Sequence, residues 1–487
     1  MNSTKRPRLG RRAFRRALVS VPAIALMMFG TAAFGASDHF KNSDAPKLNF
    51  APRPMTAEMK QIQADNEAEH ARELAVLHIK AVRGGHNGLD PDAPNAANYD
   101  EALANPWPYK SNVLKFDDGK PVTTAADWTN KRRAEIVSIF EQNYYGRIPA
   151  HVPGVKWEVT STKNETVGKY QAVTKHVVGH VDNSAYPGIK VDIQMEETLP
   201  ANVKGKIPVI VEYGWLTPPV FPKGFKMPYA PPGPSWKEQI LALGWGYVVF
   251  DPTSVQADNA AGFGKGIIGL VNKGKPRSMT DWGVQRAWSW GAGRALDYLK
   301  TDPHVAGDEV GIAGHSRYGK AAIVTMAFDQ RFAIAYVSSS GGAGAKLYHR
   351  NVGETLEDIA APHQFHWMAG NFLKYAADPN SPATMPLDQD ALIALCAPRP
   401  VFISGGAAAA GDAWVDAKGM FMAAVDAGPV YRLLGKKDLG TDKFPPMGTA
   451  LLNGDLSFRQ HPYGHTQDPN WQTFLTFAHR YLSVRAN

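Results

Sequence analysis

Near Pro200 the alternation of apolar and polar positions along the chain changes character. Downstream, short apolar runs recur between helical stretches: Ile207 to Tyr213, Gly246 to Phe250, Glu309 to Ala313, Phe332 to Ser338, Pro400 to Ser404 and Val430 to Leu434. Runs this short, bounded by turn residues and apolar at consecutive positions, predict strands of a mostly parallel sheet covered on both faces. Between two of them, Trp288, Ala295, Leu296 and Leu299 fall at helical spacing, which predicts a helix over Val284 to Leu299. Upstream, three alternating segments near Lys156, Tyr170 and Ile189 predict antiparallel strands, with a helix from Asp127 to Tyr144 ahead of them. Earlier still, Ser37 to Thr124 combines Pro-rich segments, a long polar helix over Thr56 to Val82 and a loop-like stretch from Gly84 to Pro108. The expected division is a leader (1–35), an extension wrapped on the main domain (36–125) and an α/β domain (126–487).

The first residues follow a different logic. Lys5, Arg6, Arg8, Arg11, Arg12, Arg15 and Arg16 precede an apolar run from Ala17 to Gly30 and a small-residue site at Ala33-Phe34-Gly35. That order predicts a removed export signal rather than a stable membrane anchor, because the run is short for a bilayer span. Arg11-Arg12-Ala13-Phe14 resembles a twin-arginine signal, with an ordinary arginine-rich secretory signal as the other reading. The leader also explains the net charge of +8. It holds seven of the 53 basic residues and no acidic one, which leaves 46 basic against 45 acidic residues in the remainder. A chain so balanced lacks the electrostatic footprint of a nucleic-acid binder. Its single cysteine, Cys396, excludes an internal disulfide. No Cys/His cluster and no phosphate-cradling Gly-Lys-Ser/Thr loop occurs, so neither a metal nor a nucleotide cofactor is expected.

The strongest chemical signal is Gly314-His315-Ser316-Arg317-Tyr318-Gly319-Lys320, directly after the strand Glu309 to Ala313 and opening a helix through Phe328. A serine on a sharp strand-to-helix turn presents its hydroxyl above the sheet, and the next backbone N–H can stabilise a tetrahedral oxyanion. The spacing departs from Gly-x-Ser-x-Gly, since Tyr318 holds the second glycine position. Such a serine needs a histidine after the last strand. His465 follows the strand-like Leu456 to Arg459 and precedes a closing helix from Trp471 to Leu482, with His461 as its nearest rival and His479 as a helix residue. The acid that orients the imidazole is expected after Pro400 to Ser404, at Asp412, with Asp416 as competitor; either can instead cap the helix that begins near Asp416.

At these residues the chain resembles the glucuronoyl esterases, carbohydrate esterase family fifteen, from about Asp127 to the C-terminus. The resemblance is carried by Asp127-Trp128, Arg132-Arg133, Tyr145-Gly146-Arg147, Asp281-Trp282-Gly283, the stretch from Gly314 to Lys320, Gly353-Glu354, Asp412-x-Trp414, and Gly464-His465 ahead of Trp471. It implies an α/β-hydrolase fold, a three-layer sandwich with a mostly parallel central sheet and antiparallel N-terminal strands. It implies further that Arg317 supplies a backbone N–H and a cationic side chain to the oxyanion, and that Lys320, Glu354 and Trp414 contact the hydroxyls and face of a uronate ring. Many members carry a glutamate where this chain has Ser339, and others place the acid at the position of Asp412. Fungal members have a cysteine where this chain has His315.

The resulting expectation is a secreted serine carboxylesterase, periplasmic or extracellular, expected to be a monomer. It would cleave esters of (4-O-methyl-)glucuronic acid in glucuronoxylan or lignin-carbohydrate linkages. The competing expectations are an acetyl xylan esterase or other glycan deacetylase, and a catalytically silent secreted carbohydrate-binding protein.

Overall fold

A computed structural model describes residues 55–105, 111–217 and 233–483. The leader, the end of the Gly84 to Pro108 stretch and residues 218–232 therefore lie outside the described residues. Among those described, no helix is long and apolar enough to cross a membrane.

Ten strands form one sheet. β1 (Val155–Val167), β2 (Tyr170–Val181) and β3 (Asp192–Pro200) are the antiparallel N-terminal strands. β1 and β2 are joined by a two-residue turn at Gly168, whose φ of 60° suits a residue without a β-carbon. β4 (Ile207–Tyr213), β5 (Gly246–Asp251), β6 (Val305–His315), β7 (Ile334–Ser338) and β8 (Val401–Gly405) follow, then the short β9 (Ala450–Leu451) and β10 (Leu456–Gln460). The order across the sheet is β1-β2-β3-β5-β4-β6-β7-β8-β10-β9, parallel from β5 through β10.

Alternate residues of each parallel strand enter opposite cores, which is why the runs are apolar at every position. Val209 and Val211 of β4 face the larger core while Ile210 faces the smaller; Val401 and Ile403 of β8 divide from Phe402 in the same way. The larger core is closed by the helices Val284–Leu299, Arg317–Phe328 and Ala417–Leu433, the smaller by Trp236–Ala242 and Asp468–Ala478. This is the three-layer sandwich expected of an α/β-hydrolase.

Three elements differ from expectation. Val430 to Leu434 is the last turn of the helix Ala417–Leu433, not a strand. Its apolar positions continue a helical series of buried residues, Met420, Ala423, Ala424, Ala427, Val430 and Tyr431, whose final run is too short to reveal its period alone. The polar helix starts as expected, with Thr56 Oγ1 accepting from Met59 N at 3.1 Å, but ends at Val76, just before His78 turns to a φ of 58°. The closing helix runs over Asp468–Ala478, starting earlier than expected.

Two of the sequence segments singled out above are packing devices. A β-carbon at Gly146 would lie 2.1 Å from the carbonyl oxygen of Asp281, and one at Gly283 would lie 2.3 Å from that of Trp367. The Tyr145-Gly146-Arg147 and Asp281-Trp282-Gly283 segments thus press backbone to backbone beneath the turn that carries Trp367.

Candidate active site

Register brings the C-terminal ends of the parallel strands level. His315 pairs with Ser338, Ser338 with Ser404, and Gly405 with Gln460, so the loops after β6, β7, β8 and β10 open on one edge. In parallel sheets that edge is where ligands bind.

Ser316 occupies the turn after β6 at φ 59° and ψ −127°. A non-glycine residue in such a conformation costs about 1–3 kcal/mol, so the surrounding contacts must hold it there. Its N–H donates to Ser338 O at 2.9 Å, and the helix Arg317–Phe328 begins at the next residue. The displaced glycine has a steric cause. A β-carbon at Gly314 would sit 2.2 Å from Tyr318 O, and one at Gly319 would sit 2.5 Å from Ser338 O, where the helix crosses β7. Tyr318 fills the intervening position by packing its ring on Tyr213, Trp215 and Trp288.

The structure brings Asp412 and His465 together. His465 Nδ1 lies 2.6 Å from Asp412 Oδ1, while Asp412 Oδ2 accepts from Ser339 Oγ at 2.7 Å and from Gly406 N at 2.6 Å. Burial pushes the Asp412 carboxyl upward, but the charge and hydrogen bond of His465, with those of Ser339 and Gly406, outweigh it and hold the pKa below the ordinary value. The two loops meet through glycines: a β-carbon at Gly406 would lie 2.3 Å from Gly464 O, and one at Gly464 would lie 2.2 Å from Ala410 O. His465 stands against the residue before Ser316, with 4.4 Å between its ring centre and that of His315. Burial first, then the neighbouring His465, hold His315 well below the usual histidine range, so it stays neutral beside an imidazolium. Among the described residues, neither Ser316 Oγ nor His465 Nε2 makes a hydrogen bond.

The rivals have structural duties. His461 uses both ring nitrogens within its own loop, on Thr466 O at 2.8 Å and Tyr463 N at 3.1 Å, and burial lowers its pKa to about 4. His479 ends the closing helix in an exposed position. Asp416 caps the helix Ala417–Leu433 through Gly419 N and binds Arg350 Nε at 2.7 Å.

Arg317 is held by Asp258, which follows β5. Its Nη1 donates to Asp258 Oδ2 at 2.5 Å, and its guanidinium carbon lies 5.6 Å from the centre of the Trp367 ring. Asp258 Oδ1 takes the Trp367 indole N–H at 2.7 Å and contacts His366 Nε2 at 3.0 Å. Burial works to raise the Asp258 pKa, yet Arg317 and His366 overcome it and leave the carboxylate charged well below its usual range. Sequence reasoning did not single out Asp258, His366 or Trp367. Asp258 follows β5 on the productive edge, a positional signal that the apolar pattern does not weight, while His366 and Trp367 lie in a short 3-10 turn without periodicity.

Lys320 and Glu354 are both buried and paired at 2.6 Å. The Lys320 ammonium also donates to Ser340 O at 2.7 Å and Gly342 O at 2.5 Å, so its three donors are engaged. Burial, the largest influence, lowers its pKa, and Glu354 pushes back. Glu354 N donates to Trp414 O at 2.7 Å, which ties the pair to the half-buried Trp414. Seven candidate residues thus fall in one region of the sheet edge: Ser316, Arg317 and Lys320 from the elbow, Asp412 and Trp414 after β8, His465 after β10, and Glu354 from the β7–β8 crossover. Among the described residues, no three His, Cys, Asp or Glu side chains gather with metal-ligand geometry.

A sequence family described as glucuronyl esterase, fungi, matches residues 185–435. A solved glucuronoyl esterase of carbohydrate esterase family 15 from Teredinibacter turnerae is 40% identical, with a TM-score of 0.78, covering 85% of this chain and 99% of that one. A carbohydrate esterase from an unknown prokaryotic organism is 29% identical over 81% of this chain and 95% of its own length. A 4-O-methyl-glucuronoyl methylesterase of Wolfiporia cocos is 25% identical over 59% of this chain and 63% of its own length.

Proposed function

The chain belongs to the glucuronoyl esterases of carbohydrate esterase family 15, and from that premise we propose that it is a serine carboxylesterase in which Ser316, His465 and Asp412 cleave esters of (4-O-methyl-)glucuronic acid. The observation that carries the reading is the hydrogen-bonded pair of Asp412 and His465 beside a serine in the strained elbow conformation. His465 removes the proton from Ser316 Oγ as the oxygen attacks the uronate carbonyl. The negative charge of the tetrahedral intermediate meets the N–H of Arg317 at the start of the elbow helix and the guanidinium that Asp258 anchors. The alcohol then leaves with the proton from His465. Water, activated by the same imidazole, hydrolyses the acyl-enzyme. Asp412 fixes the tautomer and carries the countercharge throughout.

On the acyl side, Glu354, held by Lys320, and Trp414 contact the sugar. The fixed carboxylate accepts from ring hydroxyls and the indole covers a sugar face. The donors of Lys320 are satisfied by protein acceptors, so its main contribution is to hold Glu354 in place. The substrate context is glucuronoxylan or a lignin-carbohydrate ester. The Lys- and Arg-rich leader supports export to the periplasm or beyond.

A panel of benzyl glucuronate, aryl acetate and feruloyl esters tests the substrate class. The reading expects kcat/KM to be highest on the glucuronate ester. Preference for the acetyl ester would move the chain to the glycan deacetylases, and no turnover on any ester would leave a binding protein.

A further inference from the structure

The extension ahead of the α/β domain reaches the sugar-binding residues just described. Gly88 lies against the indole of Trp414: a β-carbon on it would fall 2.5 Å from Trp414 Cε3 and 2.6 Å from Cζ3. The Gly88 backbone is itself pinned, because Tyr99 Oη donates to Gly88 O at 2.9 Å. A small local fold keeps the two in place. Asn87 and Ala96 form a β-bridge, with Ala97 N donating to Asn87 O at 3.0 Å.

The same loop grips the segment that carries Glu354. Asn98 O accepts from Gly353 N at 2.9 Å, and His86 N donates to Asp358 Oδ1 at 2.6 Å. Gly353 has a φ of 64°, and a β-carbon there would lie 2.3 Å from Trp414 O. Gly88 therefore backs the Trp414 indole, while the backbone of Gly353 and Glu354 meets the Trp414 carbonyl. The helix of the extension supports the opposite wall. Glu73 and Arg277 form a buried, two-pronged pair at 2.7 and 3.1 Å, and Arg277 Nη1 donates to Met368 O at 2.6 Å, next to Trp367.

Resting on the glucuronate reading, we infer that the loop 86–99 is a specificity element of the esterase: Gly88, pinned by Tyr99, sets the plane of the Trp414 indole on which the uronate ring packs. An indole cannot keep its position against a residue with a β-carbon, because the closest atoms belong to a rigid ring rather than to the end of a flexible chain. The displaced indole would lose the sugar face, while an ester without a sugar on its acyl side has nothing to lose there. Gly88 is thus a positioning residue acting through Trp414.

The test compares wild type, Gly88→Ala, Gly88→Val and Tyr99→Phe in the full chain on benzyl glucuronate and on aryl acetate. The expected result is a KM for the glucuronate ester raised tenfold or more in the Gly88 variants and less in Tyr99→Phe. Its kcat should change little, and kcat/KM on aryl acetate should stay within about twofold. Unchanged glucuronate kinetics in both Gly88 variants would overturn the inference, and so would an equal loss on both esters in all three variants. A wild type that ignores the glucuronate ester would refute the substrate reading itself, whereas a wild type that cleaves it no better than its Gly88 variants refutes only the role of the loop.

Discussion

Asp412 and Asp416 stand four positions apart on one loop, both buried, yet only one faces the histidine. Asp416 spends its oxygens on Gly419 N and Arg350, a capping and ion-pairing duty that leaves nothing for an imidazole. Asp412 points inward, with Ser339 and Gly406 N fixing the oxygen that His465 does not use. Asp412→Asn is therefore expected to lower kcat by roughly 10³- to 10⁴-fold by favouring the wrong tautomer, while Asp416→Asn should act mainly on stability; kcat and Tm measured side by side separate the two. Ser339→Ala removes one donor to a charged acceptor and should lower kcat about tenfold. Asp258→Asn keeps the shape of the carboxylate but releases the Arg317 guanidinium. We expect a loss of roughly 10- to 100-fold in kcat, the range for a hydrogen bond to a charged group, with KM little changed. A rise in KM at constant kcat would place Arg317 in ground-state binding instead.

At the scale of elements, the sequence was most readable where burial is two-sided. Every residue of β4 and β8 is buried, so the apolar runs announced both strands almost to the residue. Val430 to Leu434 deceived for the same reason, since a helix buried around most of its circumference also ends in an apolar run. The elbow was legible through Ser316 and its flanking strand, but the reason for Gly319 was not, because the contact with Ser338 O exists only once β6 and β7 are paired. Asp258 and Trp367 were silent because long-range hydrogen bonds leave no periodic trace. One strand residue yields a prediction on stability. Glu212 of β4 is buried with Gln467 Nε2 on one oxygen at 2.8 Å, and burial raises its pKa from 4.5 to about 8. The folded chain keeps that proton up to about pH 8, whereas the unfolded chain releases it near 4.5, so its contribution to stability falls as pH rises between those values. Glu212→Gln should consequently match wild type in Tm near pH 4.5 and gain on it progressively toward pH 8; a pH-independent Tm difference would contradict this.

For the whole molecule, residues 55–105 and the α/β domain share the buried Glu73–Arg277 pair and the contact of Gly88 with the Trp414 indole, so the walls of the proposed sugar site draw on both. The sequence pattern sets residues 36–125 apart as an expected extension but assigns it no purpose, since a glycine in a loop reads as a turn rather than as a seat for an aromatic ring. All of these parts serve one event, the attack of a single hydroxyl on a uronate ester. The most direct test of that event is kcat/KM on benzyl glucuronate for Ser316→Ala beside wild type, with the variant's folding checked by its Tm. A loss of roughly 10⁵-fold or more is expected, as for removal of a triad nucleophile. A folded Ser316→Ala protein that hydrolyses the glucuronate ester at a rate near wild type would contradict it.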